Sequence, residues 1–264
     1  RGPRRVMQQR RPGFPARLPG AGQVPARRVQ PVQPGRQPSA APPATAGQDT
    51  SAVRARMVQK LAAGGVTSAL VLRAMGAVER HRFVDSALGN QAYEDTSLPI
   101  GLGQTISKPN VVARMCELLL GGPLVQGSGA LGRVLEIGTG CGYQAAVLSH
   151  LAREVYTMER LRGLHDKARD NLRPFRLANV HLLLGDGLLG FASGAPYAAI
   201  IVAAGGGAVP QAWCDQLAVG GRLVAPMALS GGQQMLLVID KTPQGLKQSV
   251  LEPVHFVPLK SGIA

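Results

Sequence analysis

The sequence predicts an α/β fold: a doubly wound, Rossmann-like, mostly parallel sheet with helices on both faces. Five short runs rich in Val, Ile and Leu alternate with helix-like segments, which is typical of strands buried on both faces of a sheet. These runs are residues 133–138, 154–159, 180–186, 198–204 and 222–227. Two later runs, 233–240 and 253–259, have no helix between them, so an antiparallel C-terminal finish is expected.

Residues 1–50 differ in composition from the rest of the 264-residue chain. They hold ten prolines, nine arginines and one acid, Asp49, and so carry +8 of the formal net charge of +14. Such a segment buries too little apolar surface to offset its ordering entropy, so a disordered basic arm is expected. Its charge suits non-specific contact with polyanions, and no specific nucleic acid is expected.

Features of membrane, exported and metal-binding proteins are missing from the sequence. It has no run of about 18 apolar residues, and residues 1–50 lack the apolar core of a secretory signal. Cys116, Cys141 and Cys214 are an odd number without metal-ligand or disulfide-framework spacing. We expect a cytoplasmic protein without a membrane partner or a metal.

Residues 51–122 are predicted to form an N-terminal helical subdomain. Two amphipathic helices open it, the second with Thr67 as its expected N-cap, and an irregular stretch follows up to residue 107. Ser107 is expected to start a third helix, since Pro109 then stands in the first turn, and Gly121 to end it. Residues 123–264 are predicted to form the Rossmann-like, cofactor-binding domain.

The first predicted strand runs into a glycine turn, Gly138, Gly140 and Gly142, and then a helix from about Tyr143. Its spacing is GxGxG, whereas pyrophosphate-binding turns read GxGxxG. Glu136 precedes the turn by two residues, and its carboxylate suits the ammonium of an amino-acid cofactor better than a pyrophosphate. S-adenosylmethionine carries such an ammonium.

Two further acids stand at the ends of the next two predicted strands. Glu159 is placed to accept the ribose hydroxyls of a nucleoside, and Asp186, followed by Gly187, to accept an adenine amine. Each acid alone has an ordinary structural alternative. Together they occupy the carboxyl ends of successive strands, where open α/β sheets bind ligands.

Several longer motifs resemble those of one known protein family. They are RHRFV (80–84), QAYEDTSLPIGLGQTIS (91–107), VLEIGTGCGYQAAVL (134–148), GDG (185–187), GGRLVAPM (220–227) and VHFVPL (254–259). From residue 52 onward the chain resembles the protein-L-isoaspartate O-methyltransferase family. The resemblance implies methyl transfer from S-adenosylmethionine, leaving S-adenosylhomocysteine, to the α-carboxylate of L-isoaspartyl residues in damaged proteins and peptides. The ester then closes to a succinimide, and hydrolysis returns part of it to aspartate. A monomer is expected.

The resemblance also implies site residues. Ser107 matches the family's active-site serine, and we assign its hydroxyl to orienting the substrate carboxylate, with the helix N-cap as the structural alternative. Arg114 and Lys108 flank it and are candidates for attracting that carboxylate. The residues expected to line the cofactor, besides the three acids and the glycines, are Thr105, Ile106, Thr139, Cys141 and Tyr143.

Departures from the family pattern leave alternatives open. Ala198 stands where an Asp is usual, and Gly205–Gly207 replaces an alanine-proline turn, so a more mobile loop is expected. Weaker cofactor affinity or altered substrate gating is left open, and activity remains the expectation. A non-catalytic cofactor-binding relative is one alternative. A methyltransferase acting on RNA or another peptide is the other, favoured by the basic arm. Trp213 is expected to lie far from the motifs, which argues against base stacking.

Overall fold

The computed structural model describes residue 2, residues 50–228 and residues 232–264. The arm expected over residues 1–50 lies outside them except at Gly2 and Thr50. Described residues from 50 onward belong to one compact unit, in which the helical segment and the sheet pack together. A domain boundary between residues 122 and 123 stays a prediction.

The element order alternates as predicted from the apolar runs. The helices are α1 (Ser51–Ala63), α2 (Ala69–Ala77), α3 (Pro109–Leu120), α4 (Pro123–Ser128), α5 (Tyr143–Ser149), α6 (Arg162–Leu172) and α7 (Gln211–Gln216). The strands are β1 (Leu98–Gly101), β2 (Gln104–Ile106), β3 (Leu131–Ile137), β4 (Ala152–Glu159), β5 (Val180–Leu184), β6 (Tyr197–Val202), β7 (Leu217–Ala228), β8 (Gln234–Thr242) and β9 (Gly245–Val254).

The main sheet has the strand order β5-β4-β3-β6-β7-β8-β9. The strands β3 to β7 pair in parallel, and β8 and β9 add antiparallel pairs at one edge. The predicted fold class is therefore confirmed. The chain reverses its direction of winding between β3 and β6, and the crevice at such a switch point is where sheets of this kind bind ligands.

Alternating side chains of the strands supply two cores. On one face, Val134 and Val155 pack with residues of α2, α3, α5 and α6. On the other face, Leu135 and Ile200 pack around Trp213 of α7. This arrangement explains why the strand sequences are apolar on both faces.

The stretch before α3 is more regular than expected. Two short 3₁₀ helices, Arg80–Phe83 and Ser86–Gln91, precede the hairpin of β1 and β2. Leu102 closes the hairpin with a φ of 52°, between two glycines that also have positive φ. The sequence pattern missed the hairpin because its strands are only four and three residues long. The sequence pattern likewise did not predict α4, which follows α3.

Both helix starts expected near the site are displaced by one residue. Ser68, and not Thr67, caps α2, with its hydroxyl accepting from the Val71 amide. Thr67 instead donates both its amide and its hydroxyl to Glu117 of α3. Lys108, and not Ser107, is the N-cap of α3, and it makes no side-chain capping bond.

The last strand also differs from the expectation of 253–259. β9 ends at Val254 because the main chain of Phe256 pairs with the side-chain amide of Gln234, at 2.7 and 3.1 Å. Beyond it, the amide of Gly205 donates to Val257 and the amide of Leu259 donates to the Gly205 carbonyl, both at 2.8 Å. The first glycine of the expected mobile loop is therefore held by two main-chain bonds.

Expectations from the sequence concern membrane helices, metal ligands, cysteines and Trp213, and the structure gives an observation on each. In the described ranges, no helix has both the length and the apolar character needed to cross a bilayer, and no cluster of metal-ligating side chains occurs. All three cysteines are buried and unpaired. Trp213 is not far from the motifs: its Nε1 donates to the Gly187 carbonyl at 2.8 Å.

We predict that Trp213→Phe lowers the free energy of unfolding by about 2 kcal/mol, because the smaller ring leaves a cavity and the buried Gly187 carbonyl loses its donor. Urea unfolding followed by circular dichroism measures this, since Trp213 is the chain's only fluorescent indole. Leu246→Ala on the exposed face of β9 serves as the control and should stay within about 0.5 kcal/mol of wild type. Equal stability of Trp213→Phe and wild type would contradict this account of the core.

Candidate active site

A cavity opens at the carboxyl ends of β3, β4 and β6, beneath the hairpin of β1 and β2. Ten of the residues predicted from sequence line it: Thr105, Ile106, Ser107, Gly138, Thr139, Gly140, Cys141, Tyr143, Glu159 and Gly187. The other five, Glu136, Gly142, Asp186, Lys108 and Arg114, do not form part of its wall. The hairpin motif and the glycine turn therefore face one another across a single cavity.

The glycine turn brings main chain close to the cavity and to the hairpin. Gly140 has a φ of 57°, and a Cβ there would lie 3.2 Å from Ile100 of β1. In the loop after β5, a Cβ on Gly187 would overlap the Ile137 side chain. A side chain at either position would push apart the segments that form the wall.

Glu159 connects the loops that follow β3 and β4. One carboxylate oxygen accepts from the Gly140 amide at 2.9 Å, and the other accepts from the amides of Arg160 and Leu161, each at 2.9 Å. The side chain is 5% exposed, and no ion pair joins it to Arg160 or Arg162 in the described structure. The carboxylate is thus fixed by main-chain donors at the cavity wall.

Glu136 lies below the glycine turn, fully buried. One of its oxygens accepts from the Thr157 hydroxyl, which lies 2.7 Å from the Thr139 hydroxyl. Its other oxygen is buried without a hydrogen-bond partner among the described residues. Burial, with a smaller contribution from Glu159, raises the pKa of Glu136 from 4.5 to about 8, against the opposing effect of hydrogen bonds.

Gln144 lines the cavity although the sequence did not single it out. It stands in the first turn of α5 and is buried. Gln144 lies beside Glu136, and a side-chain hydrogen bond between them lowers the pKa of Glu136, so the Gln144 amide connects the cavity wall to the buried carboxyl group. Its place directly after the glycine motif was the available signal.

Asp186 follows β5, and both its oxygens are engaged by main chain. One accepts from the Leu188 amide at 2.9 Å, and the other from the Gly262 amide at 2.7 Å. The C-terminal segment also bonds to the loop after β4, through the Ala264 amide and the Arg160 carbonyl. Residues 257–260 line the cavity, and the sequence marks 254–259 as a family motif but does not place it at the site, because nothing local indicates its docking.

Ser107 is half-buried at the opposite wall, where β2 leads into α3. Its hydroxyl makes no hydrogen bond with any residue the structure describes, while its carbonyl accepts from Arg80 at 2.8 Å. Arg114 is paired with Glu252 at 2.8 Å and with Glu117 at 3.7 Å, so its charge is already engaged. The hydroxyl of Ser107 is therefore available to a ligand in the cavity.

Cys141 lies in the wall as a thiol. Burial raises the pKa of Cys141 to about 11. Nearby main-chain donors and Arg80 lower this pKa, but burial has the larger effect. Thiolate chemistry at neutral pH is therefore not supported, and the small side chain serves packing in the turn.

The cavity fits S-adenosylmethionine on three observations. The glycine turn leaves room for close approach, the polar Gln144 side chain lines the cavity beside it, and the Glu159 carboxylate stands at the end of β4. Apolar side chains cover the space between the polar groups, which suits a nucleoside and a thioether: they are Ile137, Met158, Leu161 and Leu164.

The raised pKa of Glu136 predicts a pH dependence of stability in the cofactor-free protein. Between pH 4.5 and about 8 the folded protein binds a proton that the unfolded chain releases, so the free energy of unfolding falls as the pH rises. We expect Glu136→Gln to lose less stability than wild type across this window, measured by urea unfolding at several pH values. Parallel curves for the two proteins would contradict the raised pKa.

Comparison with known proteins identifies relatives of the whole region from α1 onward. A sequence model of the family described as protein-L-isoaspartate(D-aspartate) O-methyltransferase matches residues 52–264. A protein-L-isoaspartate O-methyltransferase of Methylibium petroleiphilum is 62% identical over 223 residues, which are 83% of this chain and 81% of that protein. One of Leptothrix cholodnii is 61% identical over 218 residues, 82% of this chain and 76% of that protein.

Solved structures give the same result. A protein-L-isoaspartate O-methyltransferase is 28% identical with a TM-score of 0.71, covering 80% of this chain and 67% of that chain. A Plasmodium falciparum structure solved with S-adenosyl-L-homocysteine is 23% identical with a TM-score of 0.67, over 78% of this chain and 98% of that chain, and supports the fold. The sequence match over residues 52–264, with these relatives, shows that the chain belongs to the protein-L-isoaspartate O-methyltransferase family.

Proposed function

We propose that this protein repairs damaged proteins by moving the methyl group of S-adenosylmethionine to the α-carboxylate of L-isoaspartyl residues, with Ser107 orienting that carboxylate. The observation that carries the proposal is that Ser107 and the glycine turn line the same cavity. Family membership over residues 52–264 supports the reaction. The methyl ester then closes to a succinimide, whose hydrolysis yields some normal aspartate.

When bound, S-adenosylmethionine supplies a methyl group on a sulfonium that is its own leaving group. The chain's task at this end of the cavity is to bind and orient. Glu159 accepts from a ribose hydroxyl through Oε2, because Oε1 already accepts from two main-chain amides whereas Oε2 accepts only from Gly140 and keeps a lone pair. Gln144 lines the cavity and favours the amino-acid end, and Gly187 leaves room for the adenine end, whereas Glu136 and Asp186 lie behind the wall and not in it.

The acceptor needs orientation more than proton transfer. An α-carboxylate is already ionised at neutral pH, so no general base is required. The Ser107 hydroxyl donates a hydrogen bond to one carboxylate oxygen and leaves the other to attack the methyl group in line. The hairpin and residues 257–259 line the cavity and leave less room for water beside the reacting atoms.

The two alternatives derived from the sequence, an RNA or peptide methyltransferase and a non-catalytic relative, have less support than the repair reaction. Trp213 is fully buried against the Gly187 carbonyl and offers no face to an RNA base. The loop of Gly205–Gly207 is held by main-chain bridges from Gly205 to Pro258 and from Gly206 to Met227, which gives the non-catalytic alternative less support.

We further propose that the protein acts in the cytoplasm, in keeping with three unpaired cysteines, as a monomer and without a specific nucleic acid.

Ser107→Ala should lower kcat/KM for an isoaspartyl peptide by about 10- to 100-fold, the usual effect of losing one orienting hydrogen bond to a charged group. Binding of S-adenosylhomocysteine, measured by calorimetry, should not change, since the hydroxyl contacts the acceptor. Ser249→Ala, an exposed serine of β9, is the matched control and should behave as wild type. Full activity of Ser107→Ala would refute the assigned role.

Glu159→Gln should weaken S-adenosylhomocysteine binding by about tenfold or more, because an amide nitrogen cannot accept from main-chain donors or from a ribose hydroxyl in the same way. The matched control is Glu154→Gln on the same strand, whose carboxylate pairs with His181 away from the cavity. An unchanged dissociation constant for Glu159→Gln, beside an unchanged control, would show that Glu159 does not hold the ribose.

A further inference from the structure

Arg80 is a buried cation next to the acceptor side of the cavity. It stands at the start of the first 3₁₀ helix and is 0% exposed, yet it does not line the cavity. No carboxylate forms an ion pair with it among the residues that the structure describes. A buried charge without a counter-ion is costly, and an apolar side chain of similar size would avoid that cost.

The guanidinium joins three separate segments through their carbonyls. Its Nε donates to Ala92 at 2.7 Å, and its Nη2 donates to Ser107 at 2.8 Å and to Thr96 at 3.4 Å. These carbonyls belong to the end of the second 3₁₀ helix, the loop before β1, and the junction of β2 with α3. One rigid planar fork therefore fixes the main chain on both sides of the hairpin.

The same guanidinium touches the cofactor side of the wall. Its central carbon lies 4.7 Å from the ring centroid of Tyr143, which lines the cavity at the start of α5. The ring is held independently by an edge contact with Phe83 and by its hydroxyl against Met75. Removing the cation should therefore disturb Ser107 more than it disturbs Tyr143.

From this geometry we propose that Arg80 is a positioning residue for methyl transfer: it holds the main chain of Ser107 so that the hydroxyl meets the substrate carboxylate. The inference rests on the role proposed for Ser107. Arg80 acts on the acceptor more than on cofactor binding, because it bonds directly to the Ser107 carbonyl whereas Tyr143 is also held by Phe83 and Met75. Its positive charge, little screened by solvent, also favours an anionic acceptor at Ser107.

The test compares Arg80→Lys and Arg80→Met in the full chain with an isoaspartyl peptide. Lysine keeps the charge but not the planar fork, so kcat/KM should fall by about tenfold, and further in Arg80→Met. The dissociation constant for S-adenosylhomocysteine should stay within about threefold of wild type. Arg222→Lys is the control: Arg222 also donates to a carbonyl, that of Leu118, but none of its partners lines the cavity, so the variant should keep wild-type kinetics.

A double-substitution cycle separates positioning from a general loss of structure. If Arg80 acts through Ser107, adding Arg80→Lys to Ser107→Ala should lower kcat/KM by less than twofold, since coupled residues are not additive. Additive losses, equal losses in Arg222→Lys, or unchanged kcat/KM in folded Arg80→Met would overturn the inference. If Arg80→Met does not fold, the cycle with Arg80→Lys decides. Wild-type kinetics of Ser107→Ala would overturn the role of Ser107 and this inference together, whereas additive losses overturn the role of Arg80 alone.

Discussion

The carboxylate of Glu159 is the contact on which the cofactor side of the cavity depends. It accepts from Gly140 on one side and from Arg160 and Leu161 on the other, so the glycine turn and the loop after β4 are held at a fixed separation. The parallel pairing of β3 with β4 brings both loops to the same edge of the sheet. Sheet topology sets where the site lies, and this one side chain sets its local shape.

Buried ionisable groups lie behind both walls of the cavity. Glu136 is below the glycine turn and Arg80 is behind the hairpin, and both are fully buried. Burial raises the pKa of Glu136 to about 8, whereas Arg80 keeps its charge and is stabilised by carbonyls and the Tyr143 ring. Apolar residues at these positions would pack at lower cost, so stability is given up for the placement of main chain beside the ligand.

The sequence predicted what short-range patterns encode. Apolar runs located the five parallel strands, and acids directly after them located Glu159 beside the glycine turn. Contacts between distant segments were not predictable: Glu117 draws Thr67 away from capping, Gln234 ends β9 early, and the C-terminal segment bonds to Asp186. Each of these depends on a partner about 20 or more residues away, and no local periodicity reports such a partner.

The acceptor is the central claim, and one measurement tests it most directly. Transfer of a labelled methyl group from S-adenosylmethionine should be measured to a peptide containing L-isoaspartate, to the same peptide with normal aspartate, and to RNA. The account predicts base-labile label on the isoaspartyl peptide alone, because the cavity at Ser107 is built to orient a free α-carboxylate. Labelling of RNA, or no transfer to the isoaspartyl peptide despite measurable binding of S-adenosylhomocysteine, would contradict it.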